Sequence, residues 1–236
     1  MSLEEARKLT HEIDGWLSDK EGTLLYSLAK KCTGRGIIVE IGSWKGKSTV
    51  WLSKGSDGGK NITVYAVDPH TGSLEHRNSG NVWTFEEFQK NIIDAGMERI
   101  VTPLLNTSEE AIDLVSEPVE LLFIDGCHEY EEVKRDLQLW FPKVVDGGTI
   151  AFHDTTTWDG PKKVVSQYVY KSKHFRNIHL VDSITYAEKV FQYSNWDFLK
   201  NRINLFIKHG YDLKISLYKS FISLKKLFRK QDDYLS

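Results

Sequence analysis

Cysteine is scarce in this chain. Cys32 and Cys127 are the two among 236 residues, and they stand far apart. That excludes the disulfide framework of a small secreted domain and a paired-cysteine zinc site. A reducing compartment, and cytoplasmic localisation with it, is the expectation. Long apolar runs are missing as well, since none approaches the roughly 18–20 residues that a membrane-spanning helix needs. The opening stretch MSLEEARKLTHEIDGWLSDK is acidic and has no apolar centre, so no secretory leader is expected. Nor is there an excess of positive charge. Lys and Arg number 31 against 33 Asp and Glu, a formal net charge of -2, which argues against a general nucleic-acid binder. No internal repeat or low-complexity linker interrupts the chain.

What is present is alternation. Short β-branched apolar runs (IIVEIG from Ile37, ITVYAVD from Ile62, RIVTPLL from Arg99, VELLFIDG from Val119, GTIAFHD from Gly148) are separated by amphipathic stretches. A parallel sheet covered by helices reads this way. In EYEEVKRDLQLWF, Tyr130, Val133, Leu137 and Trp140 share one helical face, and Glu131 precedes Arg135 by four, the favourable order for an ion pair. Thr84 and Gly96 mark the predicted start and stop of a helix in TFEEFQKNIIDAG, SEEAIDLV predicts another from Ser108, and Ser18 predicts a cap for SDKEGTLLYSLAKKC. After Asp154, Pro161 opens a predicted helix to about Lys171, and NIHLVDSITYAEKVFQY predicts two strands with a turn near Asp182–Ser183. The expected divisions are a helical extension over 1–35, one α/β domain over 36–193 and a basic helical extension over 194–236. From Trp196 to Lys230 that last segment carries nine Lys or Arg against two Asp. Leu213, Leu217, Phe221, Leu224 and Phe228 recur there at helical spacing, and Gly210 predicts a break into two helices.

Ligands of parallel sheets bind beyond the carboxyl ends of the strands. The first strand ends in Glu40-Ile41-Gly42-Ser43-Trp44-Lys45-Gly46-Lys47-Ser48, where glycine permits a sharp turn and the following helix start offers free N–H groups. The second ends at Asp68, placed to accept ribose hydroxyls. A glycine loop followed by a second-strand acid indicates an adenosine-type ligand. GSWKGKS resembles a phosphate-binding loop, but three residues separate Gly42 from Gly46 where that loop needs four. The G-x-G-x-x-G fingerprint is absent. A carboxylate at Glu40 would repel a pyrophosphate and suits a ligand with an ammonium and a sulfonium.

VEIGSWKGKST, VYAVDPH, FIDGCHEYEEVKRDLQLW and VVDGGTIAFHD, in that order, resemble the class I methyltransferases. More narrowly they resemble the branch with metal-dependent sugar O-methyltransferases and cephalosporin-hydroxylase-like proteins, over roughly Gly36 to Asp154. The resemblance implies a doubly wound, Rossmann-like, mostly parallel seven-stranded sheet with helices on both faces, and S-adenosylmethionine as cofactor. It assigns Glu40, Gly42, Ser43, Gly46 and Ser48 to the amino-acid half of that cofactor, Asp68 to the ribose, Asn106 and Ser108 to the adenine side, with Asp125 nearby.

The fourth run ends in Asp125-Gly126-Cys127-His128 and the fifth in His153-Asp154. Two carboxylates and two imidazoles at adjoining strand tips are costly to place without a ligand. Hard oxygen donors favour Mg²⁺ or another hard divalent cation. The expected ligands are Asp125, Asp154 and His153, with His128 as general base for O-methylation of a sugar or related small molecule. In the resembling sugar enzymes an acidic pair stands where His153-Asp154 stands here. Plainer roles remain open: Glu40 capping the loop's own N–H groups, Asp125 as an acid at a helix start, His128 as a solvent-facing first-turn residue. Cys127 is expected as a packed neutral thiol. Other chemistry on this fold, such as hydroxylation, and a non-enzymatic binding module are the alternatives. Expected partners are a small-molecule or glycan acceptor, shaped by His70–Trp83 and Thr155–Pro161. A second copy of the chain, or an anionic membrane against the basic tail, would complete the set.

Overall fold

Strands β1 (Ile37–Ile41) and β4 (Val119–Ile124) are buried at every position, which requires cover on both faces. In the computed structural model, which describes residues 3–73 and 82–232, that cover is helical. The other strands are β2 (Val64–Val67), β3 (Val101–Leu104), β5 (Val144–Phe152), β6 (Phe175–Val181) and β7 (Ile184–Lys189). They form one seven-stranded sheet in the order β3-β2-β1-β4-β5-β7-β6. The pairs among β1 to β5 are parallel, and β7 joins β5 and β6 antiparallel. The expected doubly wound fold is present, with its topological switch between β1 and β4.

Alternation along the strands divides the core. Ile38, Val64, Leu121, Phe123 and Ala151 face one side with α1 (Leu3–His11), α2 (Asp19–Lys31), α3 (Lys47–Asp57) and α4 (Phe85–Asp94). Val39, Ile41, Leu122, Ile124 and Phe152 face the other, with α5 (Ser108–Ala111), α6 (Tyr130–Trp140), α7 (Asp159–Val164) and the root of α8 (Asn195–Asp232). Ladder bonds run past the strand ends: Gly42 N to Val67 O (2.9 Å), Asp125 N to Ile41 O (2.8 Å) and His153 N to Ile124 O (3.0 Å). These bonds hold the tips of β1, β2, β4 and β5 in register. Gly42 has φ +86°, and a Cβ there would stand 2.2 Å from the Asp125 carbonyl, so the first tip requires glycine.

Several local expectations are met. Ser18 and Glu21 form a reciprocal capping box at the start of α2. Val133, Leu137 and Trp140 are the buried face of α6, and β6 and β7 flank Asp182–Ser183. Others need correction. Thr84 precedes α4, but its hydroxyl meets the His70 ring (2.9 Å) and leaves the helix uncapped. The helix at Ser108 is a single turn closed by a Thr107–Glu110 capping box. Arg135 pairs with Glu132 (2.7 Å) and Glu109 (2.9 Å), while Glu131 takes Lys134 (3.0 Å), so the Glu131–Arg135 pair does not form. Strand β5 begins at Val144, ahead of Gly148, because Val119 of β4 offers it a partner there. The predicted helix at Pro161 starts two residues earlier and passes into a π-helical stretch over Val165–Val169. Gly210 does not divide the tail: α8 runs through it, on a part of the helix that faces open space. The side chains of Phe221, Leu224 and Phe228, and residues 74–81 of the His70–Trp83 segment, lie outside the described residues.

Helix α2 is bound tightly to α3. At Gly22 a Cβ would stand 2.2 Å from the Trp51 indole, which is itself 1% exposed. In a free helix Gly→Ala would stabilise by about 1 kcal/mol. Here overpacking, at about 1–3 kcal/mol, outweighs it. Gly22→Ala is therefore expected to destabilise the protein in urea unfolding, and an unchanged or higher midpoint would refute this packing.

Candidate functional site

A cavity of about 950 Å³ opens at the carboxyl ends of β1, β2, β4 and β5. Gly42, Ser43 and Ser48 line it from the β1–α3 turn, Asp68 from β2 and Ser108 from α5. Asp125, His128, His153 and Asp154 line it from the tips of β4 and β5. Glu40, Gly46 and Asn106 lie off its wall. Glu40 precedes the tip and shares the parity of Ile38, so its side chain turns under α3, where it accepts from the Thr49 hydroxyl. Gly46 packs its backbone towards Phe88.

Asp68 has a second task. Its Oδ2 accepts from the backbone N–H groups of Ser43 and Trp44 (2.8 Å each), and its Oδ1 from His70 N (2.6 Å). The second-strand acid thus holds the β1 turn in shape while lining the cavity. At that turn, buried Glu40 Oε1 and Ser43 Oγ make no hydrogen bond within the described residues. Unsatisfied buried acceptors beside a cavity suit a polar or cationic ligand group. Burial pushes Glu40 up to about 7, against the nearby hydroxyls of Ser48, Thr49 and Ser43.

The acids and imidazoles converge as two pairs. His128 Nε2 lies 3.1 Å from Asp154 Oδ2, and His153 Nδ1 lies 2.8 Å from Asp125 Oδ1. One donor atom each from Asp125, His128 and Asp154 fall within 4.8 Å of one another, close enough for one divalent cation to bridge. The expected third ligand, His153, stands behind this group. It is 5% exposed, bonds to Asp125, and its Nε2 is 3.5 Å from Glu21 Oε2. Burial pulls His153 down, but the charge and hydrogen bond of Asp125 and the Glu21 carboxylate more than offset this and raise its pKa. His128 is the imidazole whose donor atom joins the two carboxylates in that group. Burial raises Asp125, partly countered by His153. Burial also pushes Asp154 up, but the His128 hydrogen bond and the His153 charge leave it lowered. The expected solvent-facing alternative for His128 is not met, because Trp158 stacks on its ring at 4.4 Å and 9°.

Glu21, 3% exposed, was missed in the sequence, where its place in the capping motif already explains it. Besides His153, its Oε1 accepts from Ser183 N (2.8 Å) and Ser183 Oγ (2.7 Å), and Ser183 Oγ in turn accepts from Asp154 N (3.3 Å). Burial raises the Glu21 carboxyl, yet its bonds and the His153 charge bring it to about 2. Asp154 has φ +56°, a left-handed conformation that Asp tolerates, and the Ser183 contact holds it there. Asp136 was also missed. It lines the cavity near Ser108, and burial lifts its pKa to about 6 against the Ser108 hydroxyl. Trp16 joins the wall beside Trp44, ring centroids 5.7 Å apart.

Residues 39–155 match the model of a family described as a methyltransferase domain. An uncharacterized protein of Sinorhizobium fredii is 32% identical over 122 residues, covering 50% of this chain and 13% of that protein. An uncharacterized protein of Acanthamoeba polyphaga mimivirus is 30% identical over 120 residues, covering 49% of this chain and 50% of that one. The chain thus spans half or less of these relatives' lengths. Among solved structures, the O-methyltransferase NovP is similar at TM-score 0.61 and 20% identity, over 73% of this chain and 81% of that one. TomG of Streptomyces achromogenes, solved with S-adenosylmethionine, is similar at TM-score 0.56 and 16% identity, over 80% and 89%. At these identities the likeness is one of fold.

Two outcomes are expected. Glu21→Gln leaves the buried His153 charge half-paired and should destabilise by roughly 3–5 kcal/mol in chemical unfolding; a loss under about 1 kcal/mol would refute its central place. Glu40 has its pKa raised from 4.5 to about 7 in the fold. Its contribution is full below the unfolded value and disappears as pH rises through the folded one, on the order of 3 kcal/mol in all. Glu40→Gln should flatten that fall in a pH series of unfolding midpoints.

Proposed function

We propose that the chain, whose residues 39–155 match the model of a methyltransferase domain, catalyses S-adenosylmethionine-dependent O-methylation of a neutral, sugar-like or related small hydroxyl compound. The observation that carries this is the cavity itself, with an adenosine-type wall (Gly42, Ser43, Asp68) on one side and the Asp125–His128–Asp154 group on the other. Bound S-adenosylmethionine supplies a sulfonium methyl as electrophile. Ser43 stands where its amino-acid half would lie, with Glu40 behind it under α3, Asp68 where ribose hydroxyls would lie, and Asp136 with Ser108 on the adenine side.

On the acceptor side, His128 takes the hydroxyl proton. Asp154 orients its ring and steadies the imidazolium that results, and Trp158 holds the ring plane. The acceptor oxygen forms its bond to the methyl carbon as the carbon–sulfur bond breaks, leaving a thioether. Asp125 and Asp154 fit a hard divalent cation, which would make a coordinated hydroxyl more acidic. The 3.1 Å His128–Asp154 pair also favours a second reading, in which this dyad suffices without metal. Asp14, Glu129, Glu131, Glu132 and the site carboxylates face Lys47 alone among the Lys and Arg of the described wall, which favours neutral over phosphorylated acceptors. The indoles of Trp16 and Trp158 offer apolar planes to a sugar face.

Calorimetric titration should show micromolar-class binding of S-adenosylmethionine and S-adenosylhomocysteine, about -8 kcal/mol, lost in Asp68→Ala; no binding to the parent protein would sink the proposal. With an acceptor found by screening neutral glycosides against phosphorylated ones, His128→Gln should lower kcat by roughly 10²- to 10⁴-fold with cofactor affinity unchanged. Chelation separates the two readings: a lost rate supports the cation, a retained rate the dyad alone.

A further inference from the structure

We propose that helix α8 docks the protein on an anionic lipid surface. The helix has two unlike faces. One is tied to the domain: Asn201 Nδ2 donates to Phe175 O (2.7 Å), Asn204 Nδ2 to Ile178 O (2.9 Å), and buried Lys208 donates to Thr155 O (2.8 Å) and to the Asp212 carboxylate (2.8 Å). Leu205, on the same face, enters the core. The opposite face carries Leu199, Ile203, Phe206, Leu213 and Leu217 at helical steps, all exposed, with Phe206 at 80%, Leu213 at 61% and Leu217 at 63%. The sequence continues this series at Phe221, Leu224 and Phe228. The stripe from Leu199 to Leu217, pointing away from the body, is already large for a surface facing water alone.

Charge identifies the occupant. Lys214, Lys219, Lys225, Lys226, Arg229 and Lys230 fall between Leu213 and Lys230, and no Asp or Glu does. Two such helices side by side would bring like charges together, with no acids at the flanking positions where helix pairs place them. An anionic bilayer supplies the missing negative charge and a hydrocarbon boundary for the apolar face. No helix among the described residues is long and apolar enough to cross a membrane, so α8 would lie in the surface plane. From Leu213 to its end at Asp232 it extends about 30 Å at 1.5 Å per residue. The anchor is joined to the site, because Lys208 at its root bonds the carbonyl next to Asp154.

The test is flotation of the full chain with vesicles of phosphatidylcholine alone or mixed with phosphatidylglycerol. Binding to the mixed vesicles only is expected, and it should be released as salt rises from about 0.1 M to about 1 M, where the screening length falls from about 10 Å to about 3 Å. Leu213→Glu with Leu217→Glu should lower the partition coefficient at least tenfold, and Lys214→Glu with Lys219→Glu should remove the preference for anionic lipid. Unchanged helical circular dichroism and unchanged S-adenosylhomocysteine titration would show both variants folded. Failure to bind mixed vesicles, or equal binding to both kinds, overturns the proposal. So does a dimer in light scattering that Leu213→Glu with Leu217→Glu dissociates, since a second copy would then be what covers the stripe.

Discussion

The site depends on one buried imidazole. His153 sits between Asp125 on β4 and Glu21 on α2, and these carboxylates raise its pKa, so that it can pair with both of them away from water. Removing charged groups from solvent costs several kcal/mol each unless they are paired and hydrogen-bonded. Asp125, Asp154, Glu21 and the two imidazoles meet this condition only as a set. Glu21 reaches Asp125 through His153 and Asp154 through Ser183, so one carboxylate from the N-terminal helix braces the tips of both strands that carry the acid and imidazole group. The arrangement resembles the outer-shell support that metal and acid–base sites use to orient their reactive groups.

The sheet makes this meeting possible. Parallel pairing of β2, β1, β4 and β5 carries each chain to the same edge, and the ladder bonds beyond the strand ends hold the tips level. Gly42 lets the first tip pass close to Asp125, and Asp68 gathers the N–H groups of the turn that follows. The two halves of the cavity therefore share structural parts. A change at Asp68 disturbs the turn as well as the cavity wall, and a change at Asp125 unpairs buried His153 as well as removing an oxygen from the cavity.

The additions at each end of the sheet are part of the same construction. Helix α2 brings Glu21 because Gly22 admits the Trp51 indole against its backbone. Helix α8 reaches the loop after β5 through Lys208. The polar tethers of α8 and Leu205 fall on one face and its exposed apolar residues on the other, which separates holding the helix from what the helix presents outward.

Much of this was legible from residue order. Mostly apolar, β-branched runs implied a sheet covered on both sides, because exposed β-branched residues in such numbers would not be stable in water. Strand-end placement of Gly42, Asp68, Asp125 and Asp154 located the cavity, since parallel strands deliver their carboxyl ends to one edge. Ser18 announced its helix by a motif whose hydrogen bonds close within four residues. What sequence could not decide is set by contacts between distant segments. Which histidine joins the Asp125–Asp154 group depends on the carboxylate behind the other, and Glu21 stands more than a hundred residues from His153. Glu40 turned under α3 through strand parity and the packing of Thr49. Gly210 was passed over by a helix held on the domain by Asn201, Asn204 and Lys208. Local pattern determined the elements and the edge where they meet; only the folded chain, by pairing charges across it, decided which side chains face the cavity and which support it from behind.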